Sequence, residues 1–238
     1  MKLGVFFGCT TRSNPELMEP LVEFLEKAGV EYERLGTELC CGAPLLLAGY
    51  VDEAKVQAEK VRKDIESKGV ELVVTPCPHC YVNLKHEHEK LLGTPAPYEV
   101  KHLSQFIHDL IKSGQIKLTK PIPKKFTFHD PCYLGRQGDG IYDEPRFVVQ
   151  SVPEVEFEEL PFNRENATCC GGGGLLRAFL PKLSSEVSAE KIRNEVIPIG
   201  VNAVATSCPF CYTNLKEGAA GTDIEVYDLV KLVLEAME

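Results

Sequence analysis

The stretch GVELVVTPCPHCYVNLK (Gly69–Lys85) aligns without a gap on GVNAVATSCPFCYTNLK (Gly200–Lys216), with 11 of 17 positions identical. Pro78/Pro209, Asn83/Asn214 and Lys85/Lys216 are among the identities. Upstream, LCCGAPLLLAG (Leu39–Gly49) matches TCCGGGGLLRA (Thr168–Ala178) through a Cys-Cys-Gly core, and FFGC ending at Cys9 pairs with FHDPC ending at Cys132. Downstream, EVKHL (Glu99–Leu103) echoes EVYDL (Glu225–Leu229). Four collinear matches identify an internal duplication. The join is expected near KSGQIKLTKPIPKK (Lys112–Lys125), where glycine, two prolines and five lysines interrupt the apolar pattern. The copies then occupy residues 1–118 and 124–238, each near the usual size of one domain.

Within a copy the elements alternate. Lys2–Phe7 reads as a short buried strand, with Cys9 just past its end. Asn14 before Pro15 opens a helix, with Leu17, Leu21, Phe24, Leu25 and Ala28 as its apolar stripe and Gly29 closing it. Val51–Lys68 gives a second amphipathic helix, with Val51, Ala54, Ala58, Val61 and Ile65 on one face. Glu71–Thr75 is β-branched between turn residues, a second strand. Such alternation predicts an α/β fold of two duplicated Rossmann-like βαβ lobes with parallel sheets, related by a pseudo-twofold. In parallel sheets, sites gather beyond the carboxyl ends of the strands. Cys9, Cys77, Cys132 and Cys208 all fall there.

Bulk properties narrow the class. The chain has 238 residues, 44% of them hydrophobic and 26% charged, so a core can form without disulfides. A net charge of −9 argues against nucleic acid, whose phosphates demand a basic surface. No apolar run approaches a membrane span, and MKLGVFFGCT does not read as a secretory leader. A cytoplasmic location is expected. Ten cysteines are unusual there, because a reducing compartment favours metal ligands or redox thiols over structural disulfides.

Each half carries a lone Cys, then Cys-Cys-Gly, then Cys-Pro-x-Cys. The first set is Cys9, Cys40, Cys41, Cys77 and Cys80; the second is Cys132, Cys169, Cys170, Cys208 and Cys211. Helix-length gaps separate the members, so each set must converge from separate strand ends. Structural zinc takes four ligands and would leave one thiol over. A cubane of ferredoxin type takes four from a tighter run. Adjacent cysteines diverge and suit a larger cluster whose irons they share, so five donors point to an unusual iron–sulfur centre. Zinc in both sites, zinc in the first site alone, and disulfides are the alternatives. A CxxC at a helix N-terminus has free N–H groups and a positive dipole end to hold thiolates. Gly42 and the run Gly171–Gly174 clear side chains from beside the cofactor. That glycine run lacks the G-x-G-x-x-G or GK[ST] context of a phosphate cradle.

At these residues the chain resembles the CCG domain family typified by the B-type subunit of heterodisulfide reductases, present here as two tandem copies. The resemblance implies a noncubane [4Fe-4S] cluster held by the five cysteines of each copy. It also implies that the two clusters face each other and act on a disulfide between them. The expected function is then the catalytic iron–sulfur subunit of a complex that reduces, or forms, a small-molecule disulfide. Two clusters would supply the two electrons that one alone does not pass at once. Electrons would arrive from a ferredoxin-like iron–sulfur subunit and a flavoprotein subunit. A non-catalytic electron-transfer subunit of a fumarate, succinate or acyl-CoA-linked complex, and a zinc-stabilised scaffold, are the rival readings.

Other residues are read alongside. His79, inside CPHC, is a candidate proton donor to a leaving thiolate, or a packing residue; its counterpart is Phe210. His129 is a candidate to hydrogen-bond the cluster or to cap a turn with Asp130, and Arg136 to neutralise cluster or substrate charge. Lys85 and Lys216 could offset cluster charge or lie on a helix surface. Tyr81 and Tyr212 read as packing residues, and His86 and His88 as solvated.

Overall fold

The computed structural model describes residues 1–238. Its eight strands are β1 (Leu3–Phe6), β2 (Glu33–Leu35), β3 (Leu72–Thr75), β4 (Glu99–His102), β5 (Lys125–Phe128), β6 (Glu156–Phe157), β7 (Ala203–Thr206) and β8 (Glu225–Asp228). They form two four-stranded sheets, β2-β1-β3-β4 and β6-β5-β7-β8, and every pairing is parallel. The chain moves outward from β1 to β2 and returns to β3, so a switch point lies between β1 and β3 and another between β5 and β7. Central parallel strands are covered on both faces and read as unbroken apolar runs; LVVT of β3 and AVAT of β7 are buried throughout. The α/β architecture of duplicated parallel lobes is the one the repeat predicts.

The helices begin where local chemistry dictates. Asn14 Oδ1 accepts the Glu16 N–H at 3.1 Å, and Pro15 fills the first turn of the Pro15–Lys27 helix. Leu17, Leu21, Phe24, Leu25 and Ala28 are all buried, and Gly29 ends the helix at φ 64°. In the Val51–Ser67 helix, Ala54, Ala58, Val61 and Ile65 are buried. Val51 is not: it is 53% exposed, next to Tyr50, which is exposed as well, because the first turn starts beyond the layer its stripe covers.

The segment after the first CxxC departs further from expectation. A π turn at Asn83–Glu87 joins the helical pieces Pro78–Val82 and His88–Leu92, whereas Pro209–Gly218 is one continuous α-helix. The wider turn adds a residue and rotates the face that follows. His88 is therefore fully buried, its Nε2 2.8 Å from the Cys41 carbonyl oxygen, and not solvated. His86 stays half-exposed, 2.9 Å from Asp139.

One apolar core crosses between the sheets. Val5, Phe7, Phe24 and Leu103 pack in the same cluster as Phe126, Phe128, Tyr227 and Leu232. The helix Pro15–Lys27 packs on Leu229–Ala236, and Leu103–Lys112 packs on Asp143–Gln150, so each lobe lends one helix to the other. Polar contacts repeat the exchange. Lys85 Nζ lies 2.8 Å from Asp139, which also receives the Tyr81 hydroxyl; Lys216 Nζ lies 2.6 Å from Glu16, with the Tyr212 hydroxyl at 3.3 Å. These lysines span the lobe boundary. Exposed pairs of this kind contribute about 0–1 kcal/mol at most, so they orient the lobes more than they stabilise them. The join is pinned too: Leu118 bridges Met237, and the Thr119 and Lys120 N–H groups donate to the Ala236 carbonyl oxygen at 2.9 and 3.0 Å.

A shared core predicts shared unfolding. Phe24→Ala, at a fully buried position, should cost about 3–5 kcal/mol and accelerate amide exchange in β1 and β5 together. Exchange that rises only in the first sheet would show that the lobes unfold separately.

Candidate metal centres at the strand ends

The ten cysteines gather into two sets where the strands end, and all are free thiols. Cys77 and Cys208 cap the helices that follow β3 and β7, with Pro78 and Pro209 in the first turn. Cys9 and Cys132 follow β1 and β5 across the same switch points. Cys40-Cys41 and Cys169-Cys170 reach in from loops. Cys41, Cys77, Cys80, Cys170, Cys208 and Cys211 are buried; Cys9 and Cys169 are exposed. The Sγ atoms of Cys9 and Cys40 lie 3.9 Å apart, and those of Cys170 and Cys211 3.2 Å apart. Both separations far exceed a disulfide bond of about 2.05 Å and suit donors that share a metal.

The loops carrying the cysteine pairs are tied down by equivalent residues. Asn83 Nδ2 donates to the Cys41 carbonyl oxygen at 2.7 Å, and Asn214 Nδ2 to that of Cys170 at 2.6 Å. Gln57 Nε2 donates to the Cys40 carbonyl oxygen at 2.7 Å, and Ser184 Oγ to that of Gly171 at 2.8 Å. Both asparagines are buried, and their identity across the repeat was the only sequence signal of this role. Arg136 belongs here as well. Its guanidinium donates to the carbonyl oxygens of Glu165 and Ala167, just before the second pair, and Arg12 does the same for Gly36 and Leu39 before the first. Arg136 thus holds the loop that carries the second pair, and no carboxylate pairs its charge.

Gly42 and Gly171 follow the two pairs at φ 93° and 80°, a backbone region that disfavours side chains. A Cβ at Gly171 would also sit 2.9 Å from the Ser184 carbonyl oxygen. The following N–H groups turn inward: Gly171 N donates to Cys169 Sγ at 3.3 Å and Gly172 N to Cys170 Sγ at 3.4 Å. Such N–H groups stabilise thiolates over thiols.

Crowding divides the thiols. The hydrogen bond from Cys40 holds Cys41 down to about 5, and that from Cys80 holds Cys77 well below the usual thiol value. Cys80 is pushed well up by its bonds to Cys41 and Cys77, and Cys9 by its bond to Cys40. In the second half Cys132 lowers Cys169, while Cys170 and Cys211 rise through the thiols beside them. Sulfurs this close cannot all ionise together unless cations join them. The donor set therefore fits a multinuclear, thiolate-bridging metal centre, and Gly8, where a Cβ would stand 3.0 Å from Cys80 Sγ, keeps the room for one.

The two sets are not equivalent in access. A cavity of about 150 Å³ lies between the lobes, lined by all five cysteines of the first set. Its far wall is Gly172, Gly174, Leu175, Arg177, Ala178 and Phe210 of the second lobe. None of the second set lines it; Cys169 opens instead on a separate groove with Glu186 and Lys191. His79 stands at the boundary, stacked on Tyr133 with ring centroids 3.8 Å apart, edge-on to Phe210 at 5.5 Å. Its ring lines the cavity, is buried, and neither nitrogen has a hydrogen-bond partner.

The chain has relatives among known proteins. The family model described as "Cysteine-rich domain" (CCG) matches residues 3–85 and again 126–216. The chain is 36% identical, over 98% of its length, to the D subunit of dihydromethanophenazine:CoB--CoM heterodisulfide reductase of Methanosarcina barkeri, and covers 58% of that protein. It is 32% identical, over 92% of its length, to EtfAB:quinone oxidoreductase of Syntrophomonas wolfei, covering 32% of it. It is 29% identical, over 98% of its length, to the B subunit of fumarate reductase (CoM/CoB) of Methanothermobacter marburgensis, covering 46%. The chain thus spans about half the length of such relatives, or less. A hypothetical protein from Helicobacter pylori superposes with a TM-score of 0.63 at 11% identity, over 99% of this chain and 49% of that one, a likeness of fold alone. Each family match encloses one complete five-cysteine set, and the chain belongs to the CCG cysteine-rich domain family, with two copies in tandem.

Proposed function

We propose that this chain is an iron–sulfur redox subunit that reduces, or forms, a small-molecule disulfide in the cleft between its lobes. The reading rests on one observation: a largely apolar cavity, open to solvent, walled on one side by a complete five-thiol set and on the other by the second lobe. Cys9, Cys40, Cys41, Cys77 and Cys80 would hold one noncubane [4Fe-4S] cluster, and Cys132, Cys169, Cys170, Cys208 and Cys211 the other. When bound, the clusters supply the electrons, one from each.

The chain's own residues shape the rest. Ala43, Pro44, Leu47, Leu175 and Phe210 exclude water and receive the apolar part of a thiol-bearing substrate. His79, whose ring lines the cavity and whose buried Nδ1 and Nε2 have no partner, would hydrogen-bond a sulfur of the substrate once the ring turns toward the opening. Arg177 lines the cavity with its charge balanced by Glu217 at 2.6 Å, and it also donates to Asn214 Oδ1 at 2.7 Å. It can meet a substrate carboxylate only by leaving Glu217. A ferredoxin-like subunit and a flavoprotein are the proposed electron source; the relatives named as reductase subunits support partner subunits in general. The alternative is an electron relay with no reaction in the cleft. The relative named for quinone reduction and the separate groove at Cys169 favour that reading.

Anaerobic purification should give a coloured protein with on the order of eight irons and matching sulfide per chain. Cys80→Ser and Cys211→Ser should each remove about half of the iron. A colourless protein with about two zincs would support the scaffold instead. Oxidation of the reduced protein by added disulfides, with release of two thiols per disulfide, separates reductase from relay. Asn214→Leu strands the Cys170 carbonyl oxygen in the interior, at a cost of about 1–3 kcal/mol. It should release iron from the second site faster than from the first, followed by site-specific EPR signals.

A further inference from the structure

We propose that His129 is a sixth protein donor, a nitrogen ligand to the iron centre of the second half, which makes the two centres chemically unlike. The inference rests on the reading of the cysteine sets as iron–sulfur sites and adds a ligand to one of them. In the repeat Val74 corresponds to Ala205. Val5 pairs with Val74, and Phe128 pairs with Ala205. His129 therefore occupies the place of Phe6. Both rings are buried, Phe6 at 0% exposure and His129 at 1%.

Phe6 needs no polar partner. An imidazole in the same place does, because an unpaired buried polar group costs about 1–3 kcal/mol. His129 Nδ1 is nonetheless buried without a hydrogen-bond partner. What stands near the ring is sulfur: a His129 nitrogen, Cys170 Sγ and Cys211 Sγ all lie within 4.8 Å of one another. Tetrahedral donors at about 2.0–2.3 Å from one ion stand about 3.5–3.8 Å apart, so a movement of at most about 1.3 Å by the ring closes the set. The backbone fixes the ring's origin. The His129 N–H donates to the Ala205 carbonyl oxygen at 2.9 Å, and its own carbonyl oxygen accepts from Thr206 Oγ1 at 3.2 Å.

The first half has no such arrangement. The histidine of its CxxC, His79, faces the cavity and the stacked Tyr133, and His88 Nε2 is taken by the Cys41 carbonyl oxygen. Histidine raises cluster potentials where it replaces thiolates; here the imidazole would join five thiolates, so the donor sets differ by one added neutral nitrogen. The two centres should thus differ in reduction potential, because only the second carries a nitrogen donor.

The test is pulsed EPR of the iron-loaded protein, reduced in steps so that each centre is observed, with ¹⁵N-histidine against natural abundance. Strong coupling to one histidine nitrogen, retained in His79→Phe and lost in His129→Phe with iron content unchanged, is the expected result. His129→Phe should also shift the potential of that centre and leave the other unchanged. Full iron loading with no strong nitrogen coupling in the wild type overturns the inference and leaves the cysteine sites standing, whether or not any variant folds. Coupling that survives His129→Phe overturns it equally. A chain that takes up no iron in any form overturns both the inference and the reading beneath it.

Discussion

Ten sulfurs held closer than their charges allow are the constraint on which the rest of the molecule depends. Thiolates repel, and burial penalises each of them. The fold keeps them together with carbonyl clamps from Asn83, Asn214, Gln57 and Ser184 and with inward N–H groups after the second cysteine pair. Few of these contacts are worth much alone. Their effect is geometric, since they fix the loops on which donors ride before any metal arrives.

Parallel sheets explain why the sulfurs can meet at all. The order β2-β1-β3-β4 sends successive connections to opposite sides at the switch between β1 and β3, which opens a crevice beyond the strand ends. Cys9 enters from one side of that crevice and Cys77 from the other, and the cysteine pair closes it. The same construction recurs around β5 and β7, so a single local solution produced both sites.

Much of this was legible in the sequence because it is periodic or repeated. The strands, the Asn14 cap, the two cysteine sets and the doubled architecture all follow from spacing. What was not legible depends on partners far away in the chain. Lys85 and Lys216 read as companions of a charged centre or as helix-surface lysines, and nothing near them in sequence named Asp139 and Glu16, each in the opposite lobe, as their partners. Arg136 looked free to meet a ligand, but its partners are carbonyls some thirty residues on. His88 sat in a run of charged residues, and only the π turn before it turned it inward. Val51 fitted a helical stripe whose first turn has nothing to cover it.

Helices exchanged between the lobes bear on how such a chain could arise. A single lobe would expose the faces of Pro15–Lys27 and Leu103–Lys112 that now meet Leu229–Ala236 and Asp143–Gln150. Two identical copies would cover them by the same contacts read in both directions, which is the isologous pairing of a twofold dimer. The present chain has the form that fusing such a dimer would leave. Fusion also lifts a restriction that symmetry imposes, since Phe6 and His129, or His79 and Phe210, can differ only after the two copies are encoded separately.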